Sequence, residues 1–187
     1  MRLFIAVRPP EPVLDQVADL VERLRRSALA RGDDAMRWTT REQWHITLRF
    51  LGEVAEPEPV ITALDQLGSS AVGATEATLG PQVEQLGRQV LCLPSGGIDE
   101  LAAGVVAATA ALGQPPDDRA FRGHLTLARI RRRARRSRIV GSDEDQGAGI
   151  DARWPVGEVV LVRSHLGRGG PRYEDLHVHS LSVRPRP

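Results

Sequence analysis

Two short segments carry the residue types that move protons: His45-Ile46-Thr47-Leu48 and His124-Leu125-Thr126-Leu127. In an extended strand, side chains two apart share a face, so each histidine projects with its threonine while the aliphatic residues anchor the other side. If the two segments face each other, one cleft gathers two imidazoles and two hydroxyls. That set suits in-line displacement at a phosphate diester. Histidine ordinarily titrates at about 6.5, so one ring can take a proton from water while its protonated partner gives one to the leaving oxygen. Each such step is worth about 10²–10⁴ in rate. The threonine hydroxyls can donate hydrogen bonds to the non-bridging oxygens, where charge grows. This chemistry asks for no metal and no cofactor. One His-x-Thr strand arises readily by chance, but two with matching apolar positions are a strong signal.

The elements that must position these segments follow from periodicity. Residues 3–7 form an apolar run closed by Arg8-Pro9-Pro10 and read as a buried strand. Val13, Leu14, Val17, Leu20, Val21 and Leu24 make a helical stripe that opens with Pro12 and finishes near Arg25 and Arg26, as the helix dipole favours. Residues 45–51 are a second strand. A second helix is expected over 60–67, strands over 76–79, 83–86 and 88–93, and an Ala-rich third helix over 98–112, stopped by Gly113. Residues 123–130 are another strand, 131–149 a surface loop, and 159–165 and 173–183 two strands joined by a glycine turn over 167–170. Strand, helix, loop and His-x-Thr strand occur twice, at 3–51 and 88–130. The repeat predicts two lobes facing each other across a pseudo-twofold axis.

Composition narrows the function class. The chain has 187 residues and 41% apolar content, enough for one compact domain or two small lobes on a shared core. Its basic residues, all arginine, number 25 against 24 acidic ones, so the net charge of +1 gives no global field for a polyanion. A single cysteine, Cys92, excludes a disulfide framework. No apolar run approaches the roughly 20 residues of a membrane span, and the opening run is too short for a signal peptide. A cytoplasmic protein with no membrane and no obligate protein partner is expected.

Several blocks together resemble the two-histidine (2H) phosphoesterase superfamily, and within it the bacterial and archaeal RNA 2′,3′-cyclic phosphodiesterases, once described as 2′-5′ RNA ligases. They are the paired motifs, Arg2-Leu3-Phe4-Ile5-Ala6-Val7, Arg37-Trp38 leading to His45 through Gly52, Phe121-Arg122 through Arg129, and Ser164-His165-Leu166 with Gly170-Pro171-Arg172-Tyr173. The resemblance implies an α+β bilobal fold over the whole of 1–187, two pseudo-symmetric lobes of antiparallel sheet flanked by helices around a central cleft. It implies opening of a terminal 2′,3′-cyclic phosphate on RNA, or on a cyclic mononucleotide, to a 2′-phosphomonoester. His45 would then be the proton donor and His124 the base that activates water. Thr47 and Thr126 would hold the phosphate, and Arg129 would contact it. Simple alternation puts Arg129 on the face opposite His124, so that role needs a bulge. The sequence departs from the family's usual pattern at Arg41 and at Cys92.

Other readings stand beside these. His165, His177 and His179 could join the motif histidines in a zinc site, but no His-Glu-x-x-His accompanies them, and edge-strand histidines are preferred. Arg131–Arg138 could guide an RNA backbone or form a solvated loop. Tyr173 could stack on a base, whereas Trp38 reads as core. Cys92 is expected to be buried and inert. Rival functions are a 2′-5′ phosphodiesterase or ligase, a small cyclic-nucleotide phosphodiesterase, and a non-catalytic RNA-binding protein on the same fold.

Overall fold

A computed structural model of the chain describes residues 1–67, 75–130, 148–167 and 170–181. Its elements are β1 (Arg2–Val7), α1 (Glu11–Ala30), β2 (Met36–Trp38), a 3-10 turn (Arg41–Gln43), β3 (Ile46–Glu53), α2 (Glu58–Asp65), β4 (Glu76–Leu79), β5 (Glu84–Leu86), β6 (Val90–Gly96), α3 (Asp99–Ala108), β7 (His124–Ile130), β8 (Ala152–Pro155), β9 (Glu158–His165) and β10 (Arg172–Ser180). The strands form one curled antiparallel sheet in the order β10-β9-β1-β3-β7-β6-β4-β8, with β2 added to β7 and β5 to β6. Read outward from the centre, β3, β1, β9 and β10 answer to β7, β6, β4 and β8. That correspondence is the pseudo-twofold relation of the two lobes, and the lobes meet where Ile46 pairs with Leu125.

The apolar run of β1 is continuous because both its faces are covered. Leu3, Ile5 and Val7 enter the main core with the α1 stripe, and Phe4 and Ala6 pack with Val160 and Val162 on the other side. Ala28 carries the α1 stripe one turn beyond Leu24 and is buried, so the helix runs to Ala30. The expected finish near Arg25 and Arg26 is therefore corrected; both lie on the exposed side of the helix body. The second helix lies two residues earlier than expected, at Glu58–Asp65.

The third helix also stops earlier, at Ala108 rather than 112. Here Thr109 Oγ1 turns back to donate to Val105 O at 2.6 Å. The buried guanidinium of Arg49, on β3, donates to Val106 O (3.0 Å), Thr109 Oγ1 (2.6 Å), Leu112 O (3.1 Å) and Gln114 O (3.2 Å). Val106 O would otherwise be an orphan carbonyl of the helix end, and Leu112 O and Gln114 O belong to the turn that follows it. Gly113 then adopts φ +67°, and a Cβ there would lie 2.3 Å from Leu51 O. Only glycine fits that crossing.

Two short strands, β2 (Met36–Trp38) and β8 (Ala152–Pro155), add to those expected from the sequence. The strand expected over 173–183 ends at Ser180, and residues 182–187 fall outside the described residues, as do 131–147 with Arg131–Arg138. The turn after β9 closes with Gly170 N donating to Gly167 O at 3.0 Å. Gly170 has φ +110°, and a Cβ there would sit 2.3 Å from Arg37 Nη1. Among the described residues, no helix is long and apolar enough to cross a membrane.

Candidate active site

Because Ile46 is opposite Leu125 in an antiparallel pair, His45 lies across from Thr126 and Thr47 across from His124. The four polar residues share one face, while Ile46, Leu48, Leu125 and Leu127 are buried in the core behind it. The backbone also fixes each ring. His45 Nδ1 is 2.7 Å from Gln43 O, and His124 Nδ1 is 2.8 Å from Arg122 O, the same two-residue step back in both lobes. A carbonyl can only accept, so each Nδ1 carries the proton and each Nε2 is left to exchange one.

One residue past each motif threonine the register slips. Ala6 pairs with Thr47 but Ile5 with Arg49, leaving Leu48 unpaired; Cys92 pairs with Thr126 but Leu91 with Ala128, leaving Leu127 unpaired. These are matching bulges, and they reverse the alternation. Leu48 and Arg49 both point inward, as do Leu127 and Ala128, so Phe50 and Arg129 emerge on the histidine face. The bulge that Arg129 required is present. Thr39 holds it, since Thr39 N donates to Leu127 O at 2.9 Å and Thr39 Oγ1 lies 2.8 Å from both Thr126 O and Leu127 O. Trp44 Nε1 in turn donates to Thr39 Oγ1 at 2.9 Å.

His45 is half-buried under two aromatic rings. Its ring centroid lies 4.7 Å from that of Phe4 and 5.1 Å from that of Tyr173, which meets it edge-on at 89°. Burial pushes the His45 pKa down to about 4, with the positive charges of Arg8, His124 and Arg129 acting in the same direction and the bond to Gln43 O opposing them. Burial pushes the pKa of the Tyr173 phenol up, and the positive charges of Arg129, Arg37 and Arg2 oppose it. Positive charge from Arg8, Arg129, Arg37 and Arg2 thus gathers around these two rings. A groove of about 2070 Å³ opens beside this face; Thr47 and His124 line it with Phe50, Arg88, Phe121 and Arg122, whereas His45, Thr126, Arg129 and Tyr173 lie outside its lining.

All six residues singled out from sequence, His45, Thr47, His124, Thr126, Arg129 and Tyr173, come to this one side of the sheet. Phe4, Arg8, Thr39 and Gln43 were missed. Arg8 reaches the site edge through Asp175 and Glu42 O. Gln43 Nε2 ties the 3-10 turn to Pro171 O at 2.6 Å, just before Tyr173. Nothing in residue type alone marks these four, because their roles depend on pairings across the chain.

The remaining candidates lie elsewhere. Arg41 pairs with Glu11 and Asp15 and fastens the turn to α1. Cys92 is buried, its thiol pushed by burial up to about 11, so it stays protonated at neutral pH. Trp38 packs against the core. His165 pairs with Glu174 at 2.7 Å, while His177 and His179 pair with Asp65. Among the described residues, neither motif histidine belongs to a group of three side chains able to hold a metal.

A two-lobed antiparallel sheet with a His-x-Thr strand from each lobe at its centre defines a 2H phosphoesterase. Residues 7–81 and 93–173 match the family model described as LigT like Phosphoesterase, and the chain belongs to that family. The RNA 2′,3′-cyclic phosphodiesterase of Archaeoglobus fulgidus is 28% identical over 188 residues, covering 95% of this chain and 99% of that protein. The RNA 2′,3′-cyclic phosphodiesterase of Aeropyrum pernix is 28% identical over 163 residues, covering 81% and 90%. The crystal structure of TT0787 of Thermus thermophilus superposes with a TM-score of 0.70 at 31% identity, over 99% of this chain and 100% of that one.

Proposed function

We propose that the chain, acting as a single two-lobed unit in the cytoplasm, hydrolyses the terminal 2′,3′-cyclic phosphate of RNA to a 2′-phosphomonoester without a metal. The observation that carries this reading is the pair of Nδ1-anchored imidazoles set across the Ile46–Leu125 bridge. His124 Nε2 takes a proton from water as its oxygen bonds to phosphorus. The bond from phosphorus to the 3′ oxygen breaks, and His45 Nε2 gives that oxygen a proton. Thr47, Thr126 and Arg129 hold the non-bridging oxygens as charge grows on them. Proton exchange with solvent then resets both rings.

His45 is neutral at neutral pH, given a pKa of about 4. A donor role therefore requires it to take up a proton together with the substrate. The phosphate anion supplies the reason, because a negative charge beside an imidazole favours its protonated form. Tyr173 and Phe4 flank the ring and offer a surface for the terminal base.

The test is incubation with an RNA ending in a 2′,3′-cyclic phosphate, in excess chelator, followed by identification of the terminal monoester. A 2′-phosphate formed at an undiminished rate is expected. A 3′-phosphate would reverse the leaving-group assignment, and dependence on added metal would overturn the two-histidine reading.

A further inference from the structure

Of the five histidines, two lie on β10 and turn away from the groove. The register of β10 against β9 runs Tyr173 with Ser164, Glu174 with Arg163 and Asp175 with Val162, then passes to His177 with Leu161 and His179 with Val159. Leu176 is the residue left over, and such a bulge reverses the alternation. Before it, Tyr173 and Asp175 lie on the side of the motif histidines, where they meet His45 and Arg8. After it, His177 and His179 share the face of the core residues Leu161 and Val159. There they meet Asp65, the last residue of α2. His177 Nε2 lies 2.8 Å and His179 Nδ1 3.3 Å from the same carboxylate oxygen, Oδ1.

We infer that Asp65, His177 and His179 form a binding site for one divalent ion of the zinc class, on the side of the sheet opposite the phosphate groove. Two imidazole nitrogens and one carboxylate oxygen make a three-ligand zinc set that leaves a position for water. Nitrogen donors also select zinc, cobalt or nickel over magnesium and calcium, which take oxygen.

The spacing fits. Zinc bonds of about 2.0–2.1 Å in tetrahedral array set neighbouring ligand atoms about 3.3 Å apart. The two nitrogen-to-oxygen distances are 2.8 and 3.3 Å, and the three ligand atoms all lie within 4.8 Å of one another. Small side-chain rotations bring all three to one centre. The arrangement is also more than two surface ion pairs. A carboxylate has two oxygens and about four lone-pair positions, yet both rings converge on one atom.

The site is open to an arriving ion, with the side chains of Asp65, His177 and His179 exposed by 53%, 24% and 14%. On binding, each ring offers the nitrogen that now donates to Asp65, and its proton moves to the other ring nitrogen or to solvent. The ion would clip the end of α2 to the outermost strand of its lobe. It would not reach the phosphate, so the site is compatible with turnover in chelator and does not rest on the proposed reaction.

The experiment titrates chelator-stripped full-length protein with Co²⁺ and then Zn²⁺, following the visible absorption of the bound cobalt and the Tm. The comparison is of wild type, His177→Ala/His179→Ala, Asp65→Asn and His45→Ala/His124→Ala. We expect one equivalent of cobalt, displaced by zinc, in wild type and in His45→Ala/His124→Ala. Binding in the other two variants weakens by more than the roughly 10–100-fold that an outer-shell substitution costs. Zinc raises the wild-type Tm but not that of His177→Ala/His179→Ala. No stoichiometric cobalt binding in wild type would overturn the inference, whatever the variants do. So would binding that survives the His177/His179 substitution or disappears with His45 and His124. If His177→Ala/His179→Ala does not fold, Asp65→Asn, close in size to the native residue, carries the comparison.

Discussion

Thr47 of one lobe lies directly across from His124 of the other, and the reciprocal pair is His45 with Thr126, because Ile46 and Leu125 oppose each other at the centre of the sheet. The two motif histidines are thus placed by strand register rather than by loops. Both central residues are fully buried, so the geometry is set by a packed backbone before any ligand arrives.

Removing either ring should separate catalysis from folding. His45→Ala and His124→Ala are each expected to lower kcat by about 10²–10⁴-fold, the range for loss of one general acid or base. KM and Tm should change little. The double variant should lose much less than the product of the two, since the rings act as a unit. Steady-state kinetics beside thermal melts tests this; a folded His45→Ala protein at wild-type rate would refute the assignment.

The pH dependence of stability follows from the His45 pKa of about 4 in the folded chain, against about 6.5 when unfolded. The folded pKa is the lower one, so between these values the unfolded state binds the extra proton. Stability then falls as pH drops from about 6.5 towards about 4. His45→Gln should flatten that part of the profile in urea unfolding from pH 7 to pH 4.5. Sulfate, whose own charge is constant over this range, should bind wild type more tightly as pH falls, with proton uptake that His45→Gln lacks. A wild-type profile matching the variant in both measurements would remove His45 from this role.

Much of this arrangement is legible in the sequence, and the reason is local. A His-x-Thr between aliphatic residues fixes a strand and a face at once, and its repetition fixes the lobes. What escapes is set by distant pairings. The end of α1 depends on Ala28 reaching a buried cluster that includes Leu91 and Ala128. The early stop of α3 depends on a guanidinium from β3, sixty residues before Thr109. The bulge at Leu127 depends on Thr39, which gives no signal of its own among the polar residues around it. Alternation read within one strand could state that Arg129 needs a bulge, but not which residue holds it.

Thr39 should therefore matter to catalysis without touching substrate. Thr39→Val keeps the shape but removes the hydroxyl at Thr126 O and Leu127 O and leaves Trp44 Nε1 without its acceptor. A buried donor left unpaired costs about 1–3 kcal/mol, and a comparable loss in unfolding free energy is expected. With the bulge loosened, Arg129 is displaced, so KM for a cyclic-phosphate substrate should rise and its salt dependence should flatten. Thr39→Ser should restore both. Equal kinetics in Thr39→Val and wild type would mean that the bulge stands without its clamp.

Arg49 poses the opposite case, a buried cation whose partners among the described residues include no acid. Its charge is met by the Thr109 hydroxyl and the carbonyls of Val106, Leu112 and Gln114, at the end of α3 where the helix dipole is negative. Because Arg49 lies on β3 and its acceptors on and after α3, these bonds also tie one lobe to the other. Arg49→Met fills similar volume but orphans the acceptors, and a loss of about 3 kcal/mol in urea unfolding is expected, towards the upper end for a buried network. Arg49→Lys should recover little of it, because an ammonium on a single tip cannot span acceptors that the planar fork reaches together. Full recovery by lysine would show that charge, rather than the shape of the guanidinium, holds the two lobes in register.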